Sequence, residues 1–189
     1  MLQARIGYKD FSKDYLFPMV ELANLRFGDN YINTEDLLSY ITERGGVCTL
    51  AVDEEDKLLG FCLFYGETFK NISEQLKISK EEMLSVIKEN CNLCVAKSIV
   101  LAESAQGMGI ADNLLKINLE KAKNKGYDYV FAAAWDKGGG DVPAKNVSVK
   151  NGFKFLKTSS MVWINYKNYK CVICNGPCRC NAEIYYRAL

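Results

Sequence analysis

The chain has 189 residues, 49% of them hydrophobic, and its 24 Lys and Arg residues nearly balance its 23 Asp and Glu residues. This composition predicts one domain over residues 1–189 with one sizeable core, and the net charge of +1 indicates neither a nucleic-acid nor a membrane partner. The absence of histidine excludes Ser-His-Asp and Cys-His catalytic sites and histidine-ligated metals. The sequence shows no bilayer-spanning apolar run and no signal-peptide core, so we expect a cytoplasmic location and mostly reduced cysteines.

The first half of the chain predicts two helices over one sheet face, followed by a hairpin. The expected elements are a strand at 3–8, helices at 14–27 and 35–43, and an antiparallel pair of strands at 47–52 and 58–65. Ser79 and Glu82 form the pattern of a capping box, which predicts an inserted helix at about 78–90.

The second half is organised around a strand, a glycine loop and a helix. An apolar run at 94–101 precedes the loop, and helical periodicity begins at Ile110. The first N–H groups of such a helix lack partners and carry positive partial charge, which suits a phosphate group. A dinucleotide fingerprint on Gly107 and Gly109 fails because Asp112 takes its last small position. A nucleotide P-loop fails because Ile110, not Lys, follows Gly109.

The loop Gln106-Gly107-Met108-Gly109-Ile110-Ala111 instead resembles the Q/R-x-x-G-x-G/A loop of the GNAT superfamily of acetyltransferases. A second resemblance lies downstream, where Ala144, Gly152 and Phe153 match the family's N-x-x-A-x-x-L-Y-x-x-x-G-F ending. Asp141 and Ser148 stand where that ending has Asn and Tyr. The order of predicted elements matches the family over nearly the whole chain.

The remaining elements complete that order. They are a strand at 129–135 that should run parallel to 94–101, a long strand at 154–166, a cysteine-rich turn at 171–180, and a last strand at 182–189. The resemblance implies an α/β (α+β) fold with a mixed, largely antiparallel sheet of about seven strands and helices on both faces. Its two central parallel strands should splay apart.

The resemblance also implies acetyl-CoA as the cosubstrate, lying in the gap between the splayed strands. Backbone groups near Ile99, Val100 and Leu101 would bind its pantetheine arm, and one N–H there would polarise the thioester carbonyl. The pyrophosphate would be cradled by Gln106, Gly107, Met108, Gly109, Ile110 and Ala111.

The implied reaction is transfer of acetyl to a primary amine of a small molecule or peptide by direct attack, with homodimer formation left open. Asp136, at the end of a central strand, is the preferred general base, ahead of Glu67 and Glu103. Ser148 replaces the Tyr that often protonates the departing thiolate, and its hydroxyl is a poor acid. The alternative is an acetyl-CoA-binding regulatory or metal- or thiol-sensing module with little catalytic activity.

Four cysteines fall within ten positions near the end of the chain: Cys171, Cys174, Cys178 and Cys180. The C-x-x-C spacing and the Gly-Pro turn are compatible with structural zinc, while free thiols, a disulfide and an iron–sulfur cluster are the alternatives. Cys91 and Cys94 resemble another half-site, but the topology predicts that they lie roughly 20 Å away, at the opposite end of the sheet. Cys48 and Cys62 lie in apolar runs and should be core residues.

Overall fold

A computed structural model describes residues 5–189. Its strands are β1 (Gly7–Asp10), β2 (Gly28–Asp29), β3 (Val47–Val52), β4 (Leu58–Gly66), β5 (Leu93–Leu101), β6 (Tyr129–Trp135), β7 (Lys154–Ser160), β8 (Lys170–Cys171) and β9 (Asn181–Ala188). Its helices are α1 (Leu16–Phe27), α2 (Thr34–Thr42), α3 (Phe69–Leu76), α4 (Lys80–Leu84), α5 (Ile110–Asn124) and α6 (Lys145–Lys150).

Seven strands form one sheet in the order β1-β3-β4-β5-β6-β9-β7, which confirms the predicted mixed sheet. All its neighbours are antiparallel except β5 and β6, which are joined by α5 and run parallel. The parallel pairing covers only Leu93–Ala96 against Tyr129–Ala132. Both strands continue beyond these residues without pairing with each other, so the central strands splay apart as predicted.

A β-bulge lies at the point where the splay begins. Leu63 of β4 pairs with Ser98 and Phe64 pairs with Ala96, so Lys97 is the extra residue on β5. A bulge bends its strand and increases the local twist, and bulges often re-aim a side chain beside an active site. Lys97 follows directly after Ala96, the last residue of β5 that pairs with β6.

Helices cover both faces of the sheet. Met19 and Ala23 of α1 and Leu37 of α2 are fully buried in one cluster with Leu50 and Leu63. Two further helices, α3 and α4, extend this face through Ile72 and Met83, which pack near Tyr65 and Val95. The opposite face carries α5, whose buried residues Ile110, Leu114 and Leu119 pack against Cys62, Phe64 and Cys94.

Two predictions on the first half of the chain need correction. Strand β1 is Gly7–Asp10, and the part of the predicted strand before residue 5 lies outside the described residues. The helix predicted at about 78–90 is only Lys80–Leu84, although the Ser79–Glu82 capping box forms as expected. Helix α3 before it was not predicted, even though Thr68 caps it and Ile72 and Leu76 are buried at helical spacing.

The strand predicted over 154–166 is also too long. Strand β7 ends at Ser160 because Met161 adopts a left-handed conformation with φ 52°, which breaks the extended chain. The Met161 N–H still bonds to the Cys180 carbonyl, so the two ends of the intervening segment stay together. Segment 161–180 therefore lies at the end of the sheet where β7 ends and β9 begins.

Asn118 of α5 provides a test of how this face is held. Its side chain is fully buried, accepts a 2.6 Å hydrogen bond from the Thr49 hydroxyl, and donates to the carbonyls of Val47 and Cys62 at 3.2 and 2.8 Å. Asn118→Leu removes all three hydrogen bonds, so we expect the free energy of unfolding in urea to fall by about 3 kcal/mol. The control is Asn124→Leu at the exposed end of the same helix, where a change above about 0.5 kcal/mol would contradict the argument.

Candidate active site

A cavity of about 370 Å³ passes through the gap between β5 and β6. On the α5 face it is lined by Gln106, Gly107, Ala111, Leu115, Val147, Ser148 and Phe153, and on the α1 face by Phe27, Tyr31, Trp163 and Tyr169. The strand residues 96–101 and 132–135 form its middle. One continuous space therefore connects the two faces of the sheet at the point where the strands separate.

The glycine loop forms one end of this cavity. Gly107 and Gly109 both have positive φ values, 76° and 75°, which glycine adopts without strain. A Cβ added at either position would meet no atom within 4 Å, so both glycines face open space. Gly109 is the N-cap of α5, and no side chain of the described residues bonds to the first N–H groups of the helix. Uncapped N–H groups at a helix start are the groups that commonly bind anions in proteins, and this role stays a prediction here.

The other predicted cofactor residues occupy two settings. Ile110 is fully buried and Met108 is 46% exposed, and neither residue lines the cavity. Ile99, Val100 and Leu101 line the cavity and pair with β4 along one edge of β5. Their other edge has no strand partner among residues 5–189, which leaves backbone donors and acceptors directed at the gap.

The predicted acid–base residues are spread over the site. Ser148 is 5% exposed and lines the cavity, whereas Asp136 does not line it and accepts a 2.8 Å hydrogen bond from the Gly138 N–H. Glu67 forms an ion pair with Arg44 and accepts a 2.8 Å hydrogen bond from the backbone N–H of Thr68, the N-cap of α3. No carboxylate of residues 5–189 belongs to the cavity lining, and the roles of Asp136 and Ser148 stay predictions.

Glu103 does not line the cavity either. Its side chain is 90% exposed and lies 4.0 Å from the Arg26 guanidinium. It starts the short 3-10 helix that leads into the glycine loop. Of the three carboxylates considered as bases, none faces the gap between the strands.

The sequence did not predict that Lys97 and a group of aromatic residues lie together at this site. The Lys97 ammonium donates a 2.8 Å hydrogen bond to the Tyr166 hydroxyl and lies 4.5 Å from the ring centres of Tyr31 and Tyr166. Tyr31 lines both the first cavity and a second one of about 490 Å³, which Tyr40 and Tyr166 also line. A signal was available, since Lys97 is the single charged residue in the strand Leu93–Leu101.

The tyrosines on this face are hydrogen-bond donors at neutral pH. Burial raises the pKa of Tyr166 to about 12. Burial also raises the pKa of Tyr31, although the nearby Lys97 ammonium acts in the opposite direction. The Tyr31 hydroxyl donates to the Lys97 carbonyl at 3.2 Å and lies 2.9 Å from the Ser98 hydroxyl. Neither phenol is an anion available as a base at neutral pH.

The four C-terminal cysteines come together in the fold. The sulfurs of Cys171, Cys174, Cys178 and Cys180 all lie within 4.8 Å of one another. All eight cysteines are free thiols, and Cys91 and Cys94 take no part in this cluster. Cys48 and Cys62 are 6% and 0% exposed, as predicted for core residues.

The cysteine cluster is attached to the α1 end of the cavity. Strand β8, which contains Cys171, pairs with β2 directly after α1, and the Val172 N–H bonds to the Phe27 carbonyl at 3.2 Å. The Tyr169 hydroxyl donates to the same carbonyl at 2.9 Å. Phe27 and Tyr169 line the cavity, so the cluster holds one of its walls.

The comparisons with known proteins agree with this geometry. Residues 19–153, more than half of the chain, match the sequence model of the Acetyltransferase (GNAT) family. The chain belongs to the GNAT family. It is therefore an acyltransferase of the acetyl-CoA-dependent kind, as the resemblance implied. No curated protein sequence matches it significantly.

Solved structures of other GNAT proteins share its fold at low identity. NAA60 from Arabidopsis thaliana, in complex with a bisubstrate analogue, has a TM-score of 0.71 at 12% identity, covering 97% of this chain and 98% of its own. A phosphinothricin acetyltransferase from Sinorhizobium meliloti, in complex with AcCoA, has a TM-score of 0.65 at 16% identity, covering 97% and 88%. A GCN5-related N-acetyltransferase from Kribbella flavida has a TM-score of 0.65 at 14% identity, covering 97% and 98%.

No helix within residues 5–189 is both long and apolar enough to cross a bilayer.

Proposed function

We propose that the whole chain, 1–189, works as a single N-acetyltransferase domain that moves acetyl from acetyl-CoA to a primary amine of a small molecule or peptide by direct attack. The observation that carries this proposal is the continuous cavity through the splay, which has the glycine loop at one end and an aromatic wall at the other. A donor and an acceptor entering from opposite faces would meet between β5 and β6. A cytoplasmic location is part of the proposal, and a homodimer stays a prediction.

The chain's own groups suit the two ends of acetyl-CoA. The uncapped N–H groups at the start of α5 and the open space at Gly107 and Gly109 fit a pyrophosphate. The unpaired edge of β5 at residues 99–101 fits an arm that contains amide groups. Bound there, acetyl-CoA would supply an activated thioester carbonyl.

Proton transfer is the least assisted part of this reaction. The cavity lining includes the Ser148 hydroxyl and the buried tyrosines but no carboxylate. A hydroxyl can hydrogen-bond to the departing sulfur, and water in the cavity can accept the proton of the attacking amine. Asp136, directly after β6, is the proposed base. Its carboxylate already accepts a hydrogen bond from the Gly138 N–H, which would compete with accepting a proton from the amine.

The same feature favours the second candidate, an acetyl-CoA-binding regulatory or sensing module. A site that holds the cosubstrate without a base would turn over slowly on every acceptor. Thiol release should be screened with polyamines, amino acids, aminoglycosides and peptide N-termini. Turnover on any of them well above the rate of thioester hydrolysis would exclude the sensing module.

Cosubstrate binding can be tested with two glycine variants on one helix. Gly109→Trp should remain folded, because its Cβ meets no atom within 4 Å and the strain of a non-glycine residue at φ 75° costs only about 1–2 kcal/mol, but it should lose acetyl-CoA and CoA in calorimetric titration by filling the pyrophosphate site. Gly126→Trp is the matched control, since Gly126 also has a positive φ, 89°, and open space around it at the other end of α5. No binding by wild-type protein at high micromolar ligand would exclude both candidate functions.

We also propose that Cys171, Cys174, Cys178 and Cys180 bind one structural zinc ion. A tetrahedral zinc site with bonds of about 2.3 Å separates its sulfurs by about 3.8 Å. The sulfur of Cys180 lies 3.8 Å from Cys171 and 3.5 Å from Cys174, which fits a tetrahedron and is too long for a disulfide.

The surroundings of the four sulfurs also suit thiolates. The Arg179 N–H donates to the Cys174 sulfur at 3.3 Å. The buried indole N–H of Trp135 lies beside the Cys180 sulfur without completing a hydrogen bond. A thiolate at Cys180 would give this N–H the charged acceptor that it lacks. Four cysteine ligands leave zinc no open position, so its role would be structural.

Chelation provides the test of the zinc proposal. Removing the ion should loosen the wall formed by Phe27 and Tyr169, so we expect the acceptor's KM to rise more than the Kd for CoA. Cys174→Ser should mimic chelation, while Cys91→Ser, outside the cluster, should not. Substoichiometric zinc in protein purified under reducing conditions would show the proposal to be wrong.

A further inference from the structure

The Lys97 ammonium is a partly buried cation without an anionic partner. Its one side-chain hydrogen bond goes to the neutral Tyr166 hydroxyl, and no carboxylate oxygen of residues 5–189 lies within 4.0 Å. An ammonium has three donors, so two of them stay available. Charged groups removed from water are normally paired, because desolvation costs free energy that only a partner offsets.

The first cavity, which Lys97 lines, carries charge of one sign. Among residues 5–189 its lining contains Arg26, Lys97 and Lys137 and no Asp or Glu, while Asp36 lines the second cavity together with Tyr40 and Tyr166. Arg26 has Glu103 nearby at 4.0 Å, and Lys137 lies 5.9 Å from the Trp135 ring centre, whereas Lys97 alone sits within the central strand. A space lined by cations and apolar walls concentrates an anionic ligand.

The cosubstrate's phosphates lie too far away to be the missing anion. Four residues of extended strand, about 13 Å, separate Lys97 from the end of β5, and the glycine loop lies beyond that end. The anion facing Lys97 has to come with the molecule that enters from the α1 face. There the lysine is flanked by Tyr31 and Tyr166, next to the residue at which the strands begin to separate.

We infer that Lys97 selects the acceptor by binding its carboxylate, so that the acceptor class is a small amino acid and not a neutral amine or a polyamine. The inference rests on the proposed acetyl transfer. A small acceptor follows from the cavity, since about 370 Å³ has to hold the pantetheine arm as well. With the carboxylate on Lys97, the acceptor's amine lies beside the unpaired edge of β5.

The reaction itself balances without a further reactant. The amine nitrogen forms a C–N bond to the acetyl carbonyl carbon while the C–S bond of the thioester breaks. The amine loses one proton to water, and the sulfur leaves as a thiolate that takes a proton from solvent. Lys97 exchanges no proton and acts as a specificity-determining residue that holds the carboxylate.

Matched acceptors test this assignment through thiol release. Glycine, alanine and serine should each exceed their carboxamides in kcat/KM by about 10- to 100-fold, the range for a hydrogen bond to a charged group. Lys97→Met should abolish this preference mainly through KM, and Lys97→Arg should retain part of it. Lys88→Met, which removes an exposed lysine that lines neither cavity, should leave the preference unchanged.

A binding measurement keeps the test independent of turnover. N-acetylglycine and its carboxamide should be titrated by calorimetry into the wild-type protein and Lys97→Met, each with and without CoA. The acid should bind wild-type protein at least about tenfold more tightly than the carboxamide, and Lys97→Met should remove the difference.

Three results would overturn the inference or its premise. Equal binding or equal kcat/KM for acids and amides of wild-type protein would refute carboxylate recognition. A fall in kcat for acids and amides alike in Lys97→Met, with the preference intact, would assign Lys97 to stabilising the reacting carbonyl instead. Failure of CoA to bind would refute the proposed function, while the titrations without CoA would still decide whether Lys97 recognises a carboxylate.

Discussion

The interruption of the parallel ladder between β5 and β6 is the constraint on which the rest of the site depends. After four residue pairs the two strands separate, although β5 continues to Leu101 and β6 continues to Trp135. Backbone N–H and C=O groups in the middle of a sheet require partners, so an open edge there is costly unless water or an extended ligand occupies it. The bulge at Lys97 explains where the separation starts, because it bends β5 directly after its last pair with β6.

The two ends of the opening are built by different means. On the α5 face the end of the opening is formed by the backbone, namely by glycines with positive φ and by a helix start without a side-chain cap. On the α1 face, side chains from distant parts of the chain form the wall, and the segment 161–180 is fixed to Phe27 by β8 and by the Tyr169 hydroxyl. A ligand for the first end can therefore be recognised from a short motif, whereas the second end exists only in the folded molecule.

This difference explains how much the sequence could predict. The glycine loop, α5, β6, the hairpin β3–β4 and the parallel central pair follow from local patterns and connection rules, and the structure agrees with them. The end of β7 was missed because it depends on the conformation of Met161. The surroundings of Lys97 were missed because Tyr31 and Tyr166 are far apart in sequence and meet only through tertiary packing. The cysteine spacing predicted a cluster correctly, but its contact with the cavity wall required the β2–β8 pairing.

The electrostatics of the cavity connect its two unusual properties. Its lining has no carboxylate to serve as a base, and it has a lysine in the central strand. A positive charge close to an amine disfavours the ammonium form and so lowers the pKa of that amine. Partial removal from water acts in the same direction, so an acceptor amine beside Lys97 would need less help to become the neutral nucleophile. The chain has no histidine, and Ser148 stands where the family motif has Tyr. An acceptor whose carboxylate pairs with Lys97 offsets most of that charge, so partial removal from water is then the main reason why its amine favours the neutral form.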